Sequence, residues 1–133
     1  MSQKTLLEVR DLKKYFAVPG GFLHAVDDVS FSIKEGETLG IVGESGCGKS
    51  TLGRVILRLH EPTDGKIIYN GMDITNFDKE EMRKMRQHMQ IVFQDPYASL
   101  NPRFTIAQII EEPLKLHNIY KTEAERRQRV EEL

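Results

Sequence analysis

The residues best suited to chemistry are Gly43-Glu44-Ser45-Gly46-Cys47-Gly48-Lys49-Ser50-Thr51, which fit the phosphate-cradling pattern G-x-x-x-x-G-K-[ST]. Three glycines permit backbone turns that a Cβ would obstruct, so successive N–H groups can converge on phosphate oxygens at the positive end of a following helix. Lys49 is then placed to reach β- and γ-phosphates as a mobile point charge, and the Ser50 hydroxyl to ligate Mg²⁺. Thr51 adds a donor on the α-phosphate side. A dinucleotide fingerprint fits less well, because Gly46-Cys47-Gly48 begins G-x-G but Thr51 stands at the third glycine position. Cys47 fits a small loop residue whose side chain is incidental to phosphate binding, though a thiol there is open to alkylation if exposed.

Such a loop needs a strand before it and a helix after it. The apolar run Leu39-Gly40-Ile41-Val42 predicts a buried strand, and Leu52, Val55, Ile56 and Leu59 share one helical face. Strand, loop and helix therefore occur in the required order.

Bulk properties exclude several classes. The 133 residues suffice for one modest core, and 19 basic against 20 acidic residues give a net charge of −1, so no global field recruits nucleic acid or anionic lipid. The single cysteine cannot form an internal disulfide. No apolar run approaches the roughly 20 residues needed to span a bilayer, and the start, Met1-Ser2-Gln3-Lys4-Thr5, lacks the apolar segment of a secretory signal. Any membrane role is therefore expected to be peripheral.

Along the chain, Leu6 to Arg10 alternates weakly and predicts an edge strand. Tyr15 or Phe16, just beyond it, could stack on an adenine ring or fill a core. Pro19-Gly20-Gly21 marks a turn, and Val29, Phe31 and Ile33 alternate with Ser30 and Ser32 as a half-buried strand. Pro62 and Gly65 end the helix after the loop; Lys66 to Tyr69 predicts a short strand and Asn70-Gly71 a hairpin turn. Asp78 with Glu81 has capping-box spacing before the stripe Met82, Met85, Met89, which reads as core packing. Gln90 to Phe93 predicts a second buried strand, with Gln94 at its end, where α/β sheets place ligand-contacting groups. Its amide oxygen can touch Mg²⁺ or a metal-bound water, although the spacing equally describes a solvated glutamine. Asp95 to Arg103 predicts a surface loop, and Thr105 with Gln108 and Thr122 with Glu125 predict two capped helices. His24, His60, His88 and His117 lack metal-ligand spacing. Arg83-Lys84-Arg86 and Arg126-Arg127-Arg129 are interrupted or flanked by glutamates, as on solvated helix faces.

Together these segments resemble the ATP-binding subunit of an ATP-binding cassette (ABC) transporter over essentially the whole chain. By that resemblance Leu12 to Phe16 is the adenine-stacking A-loop, with Phe16 in the aromatic position and Tyr15 as runner-up. Gly43 to Ser50 is the Walker A loop and Gln94 the Q-loop glutamine that couples Mg²⁺ and nucleotide to the membrane subunits. Gly43 to Arg54 and Gln94 to Arg103 are similar to bacterial dipeptide and oligopeptide importers, and Thr51-Leu52-Gly53-Arg54 to their F-type subunit. Nickel, glutathione and microcin importers are close relatives. The resemblance implies an α/β P-loop NTPase: an antiparallel β-subdomain beside a mixed core sheet to about residue 104, then the start of a helical subdomain over 105–133. It implies ATP and Mg²⁺ as ligands, and as partners permease membrane subunits and a second ATPase subunit. It places the protein peripherally on the cytoplasmic side of the inner membrane, with no nucleic acid.

The family's Leu-Ser-Gly-Gly-Gln signature, Walker B strand with catalytic glutamate, D-loop and switch histidine are absent, and the last helix stops in register at Leu133. The chain is therefore expected to be the N-terminal part of an ATPase. Taken alone it is expected to bind nucleotide without turnover and to associate through an open sheet edge. An ABC ATPase of DNA repair is the remaining alternative, against which the Gln94–Arg103 stretch argues.

Overall fold

A computed structural model describes residues 3–133. The chain divides into two compact units, Met1–Arg83 and Lys84–Leu133.

The first unit is built on strands β1 (Thr5–Val18) and β2 (Gly21–Lys34), followed by helix α1 (Lys49–Ile56), strands β3 (Asp64–Tyr69) and β4 (Met72–Asp73), and the start of helix α2 (Lys79–Met85). The strands form one antiparallel sheet in the order β2-β1-β3-β4. β1 is thus central, not the edge strand its weak alternation suggested: Val9 pairs with Phe31 on one side and Ile67 on the other. The β1–β2 ladder carries irregularities between Val9 and Tyr15, and Asp11 and Asp28, with φ of 47° and 52°, take the left-handed conformation there. Asn70-Gly71 closes the β3–β4 hairpin with both residues at positive φ, 49° and 83°, as two-residue hairpins of the primed type require.

Val9, Leu12, Val26 and Ile67 from the sheet, Ile74 beyond it, and Leu52 and Val55 from α1 form the buried core. α1 stops at Ile56, short of Leu59, which remains 47% exposed. Arg58 takes a left-handed φ of 54° there, and its buried guanidinium donates to the carbonyls of Ile74 and Phe77 and to the Glu61 carboxylate. A buried guanidinium donating to two carbonyls and a carboxylate holds the helix end to the segment after β4. Arg58→Leu is expected to lower stability by about 2 kcal/mol, because the carbonyls it covers lose charge-assisted partners. Urea denaturation beside the wild-type chain checks this; an unchanged midpoint would make the clamp energetically neutral.

Asp78 accepts from the N–H groups of Glu80 and Glu81, while Glu81 accepts from the Asp78 N–H, so the expected capping box starts α2. Met82 and Met85 are buried as predicted, whereas Met89 lies beyond the helix and is half-buried.

In the second unit, α3 (Pro96–Ser99) is a single turn capped by Asp95, and α4 (Ile106–Leu116) and α5 (Glu123–Glu132) pack on each other. Both long helices open with the capping boxes their sequences predict, Thr105 with Gln108 and Thr122 with Glu125. Glu111 joins them, taking Lys115 on its own helix and Arg126 on α5, and the two cations hold its carboxyl below the ordinary carboxylate range.

Two expectations are overturned. Neither 39–42 nor 90–93 is a buried strand: neither run forms a regular element, and Val42 and Val92 are each 94% exposed. An apolar run becomes a buried strand only when neighbours satisfy its backbone and cover its faces. Among the described residues neither run belongs to the sheet.

Candidate functional site

The Gly43–Thr51 loop enters α1 through Gly48, the helix N-cap, at φ 101°, with Gly46 at φ 79°. Both values favour glycine. At Gly48 space is also limiting: a Cβ would lie 2.1 Å from the Ala25 carbonyl oxygen of β2. A Cβ on Gly43 would lie 2.6 Å from Cys47 Sγ. The loop is thus closely seated on the hairpin at one end and closely wound at the other. The Cys47 N–H donates to Glu44 O (3.2 Å), and the Leu52 N–H to Gly48 O (2.8 Å).

Lys49 bridges the turn. Its ammonium donates to the carbonyls of Gly43 and Glu44, each at 2.7 Å, and lies 3.5 Å from Cys47 Sγ. The first turn of α1 carries no acidic residue, so no side chain there offsets the helix's positive end. Glu44, Ser45, Gly46, Cys47 and Ser50 are exposed, with Thr51 half-buried behind them. An exposed loop of this kind, with a lysine held by flexible bonds and an uncompensated helix start, can accept a polyanion.

The aromatic pair divides between the two faces of the hairpin. Tyr15 lies opposite His24 and Phe16 opposite Leu23, and successive strand residues face opposite ways. Tyr15 stacks on His24 with ring centroids 3.8 Å apart and 9° between planes, and its hydroxyl donates to Asp27. That hydrogen bond, with loss of solvent and the Asp27 charge, pushes the Tyr15 phenol up to about 12 and draws the Asp27 carboxyl down. Phe16 instead meets the His60 ring edge-on, centroids 5.5 Å apart at 88°, just beyond α1, and Lys14 Nζ stands 4.9 Å over its centroid. The loop, through Gly48 at Ala25, and Phe16 therefore belong to one unit and to one stretch of the β1–β2 hairpin.

Gln94 lies in the second unit, exposed, immediately before the Asp95 cap of α3. Among the described residues no group of three His, Cys, Asp or Glu side chains is placed to hold a metal ion. Spacing alone did not point to His24, His60, Lys14 or Asp27. The histidines are far from the aromatics in sequence, and only the hairpin register and the turn after α1 bring them together.

The chain matches the ABC transporter family model over residues 26–133. That match covers the phosphate loop, α1 and everything after them. The chain belongs to the ABC transporter family. Similar curated relatives agree: it is 56% identical to the oligopeptide transport ATP-binding protein AppF of Bacillus subtilis, over 99% of this chain and 42% of that protein. It is 54% identical to OppF of the same organism, over 100% of this chain and 44% of that protein. Among solved structures, the ATP-binding cassette MJ0796 bound to ADP and Pi superposes with a TM-score of 0.79 at 31% identity, covering 96% of this chain and 55% of that one. The fold is thus that of an ABC ATPase core, and the chain spans less than half the length of these two curated relatives. Among the described residues, no helix is long and apolar enough to cross a membrane.

Proposed function

We propose that this ABC family chain is the nucleotide-binding portion of an ATPase subunit that energises peptide import. The single observation that carries the nucleotide reading is the Gly43–Thr51 loop: wound on positive-φ glycines, seated on Ala25, and spanned by the Lys49 ammonium. The peptide reading rests on the names of the curated relatives, AppF and OppF among them.

In this reading Lys49 exchanges its two carbonyl partners for β- and γ-phosphate oxygens of ATP, while the N–H groups from Ser45 to Thr51 line the phosphates. The Ser50 hydroxyl is a hard oxygen donor suited to Mg²⁺, and the Gln94 side-chain amide carries an oxygen of the same class. Mg²⁺, when bound, neutralises charge on the β- and γ-oxygens. Phe16 takes the base and Tyr15 does not, since Tyr15 is already committed to His24 and Asp27 on the other face. Glu44 and Cys47 contribute backbone to the cradle.

Hydrolysis is assigned to the longer protein, in which a second cassette and a catalytic carboxylate complete the site and permease subunits at the cytoplasmic side of the inner membrane receive the motion. The same longer protein would supply strands flanking 39–42 and 90–93. The domain division near residue 104 belongs to this reading as well.

Calorimetric titration of the folded chain with MgATP tests the nucleotide reading. Saturable one-site binding, displaced by tripolyphosphate, is expected. No saturable heat from a chain with folded circular dichroism would overturn it.

A further inference from the structure

The Lys14 ammonium lies 4.9 Å over the centroid of the Phe16 ring. An aromatic face attracts a cation through its quadrupole, so this ring is partly engaged before any ligand arrives. The ladder shows where Lys14 stands relative to the loop. Going back along β1 from Phe16, opposite Leu23, the chain passes Tyr15, opposite His24, and reaches Lys14, opposite Val26; Ala25, whose carbonyl seats Gly48, lies between those last two partners. Lys14 is therefore on the phosphate-loop side of Phe16 along the strand. A base stacking on the ring face that the Lys14 ammonium covers must displace that ammonium. His60, perpendicular to Phe16 with centroids 5.5 Å apart, packs on the same ring.

We propose that Lys14 is an internal competitor for the base: its ammonium holds the Phe16 face in the free protein and is displaced when a nucleobase stacks there. This rests on the assignment of Phe16 as the base-stacking residue. The consequence is a nucleotide affinity set below what the aromatic could supply. Lys14 acts through Phe16 and is a positioning residue.

The test reads the base contribution alone. The chain and its Lys14→Met, Phe16→Leu and doubly substituted forms, each checked for folded circular dichroism, are titrated with MgATP and with magnesium tripolyphosphate. The ratio of the two affinities is the readout: loss of a lysine charge weakens both polyanions alike and cancels. In Lys14→Met the ratio is expected to rise about threefold, the range of an exposed cation–π contact. In the Phe16→Leu background Lys14→Met is expected to leave it unchanged. An unchanged or lower ratio in Lys14→Met, with Phe16→Leu lowering it, overturns the competitor and leaves the base-stacking assignment standing. A ratio unmoved by Phe16→Leu overturns the base-stacking assignment and the competitor with it, as does a folded chain that binds neither ligand.

Discussion

Gly48→Ala is expected to remove nucleotide binding and to destabilise the chain by about 3 kcal/mol, well beyond the ordinary cost of a surface substitution. Two costs add at this residue. Its φ of 101° is a conformation L side chains rarely adopt, and the added Cβ would lie 2.1 Å from the Ala25 carbonyl oxygen. The obstructing atom is backbone in a strand held to β1 on either side of it, at Lys14–Val26 and Tyr15–His24, so it cannot swing aside as a side-chain terminus would. Relief must come from lifting α1 and the loop off the hairpin, which uncovers Leu52 and Val55. Gly46→Ala is the control, with a similar φ of 79° but open space around the new Cβ; it should cost about 1 kcal/mol, the conformational term alone. Urea denaturation and MgATP titration of both variants check the pair. Equal midpoints would show that the seat on Ala25 does not constrain the loop.

What was legible in the sequence was local. The Asn70-Gly71 turn and the three capping boxes are written in neighbouring residues, and each forms with the partners its spacing predicts; the helix after the glycine loop likewise starts at Lys49. What was not legible depended on distant chain. The runs 39–42 and 90–93 carry the composition of buried strands, but burial is a property of neighbours, and among the described residues none pairs with them. The centrality of β1 was hidden because the irregularities around Asp11 and Asp28 break its alternation, so a strand flanked on both sides looks like an edge. At the site, sequence could name Phe16 and Tyr15 as aromatics but could not rank them from the residues alone. Pairing distinguishes their surroundings: His24 and Asp27 engage Tyr15 on one face, and Phe16 lies on the other beside His60 and Lys14.

Lys49→Ala separates function from fold more sharply than any other single change. In the free chain its ammonium donates to the carbonyls of Gly43 and Glu44 at 2.7 Å, both on exposed residues that water can solvate in its place. Loss of these bonds should therefore change stability by less than about 1 kcal/mol. With a polyphosphate bound, the same ammonium makes charge-assisted bonds to oxygens that carry net negative charge, worth roughly 1.5–3 kcal/mol each. Removing it should weaken MgATP by about a hundredfold, since each 1.4 kcal/mol is a factor of ten. Lys49→Arg should not restore the affinity: the larger planar guanidinium fork does not reproduce the compact point charge that an ammonium presents to phosphate oxygens within one turn. Calorimetry on the three chains, with denaturation midpoints measured alongside, gives the comparison. A Lys49→Ala chain with wild-type affinity would remove the lysine from the phosphate site. A chain that lost affinity and stability in proportion would make its role structural.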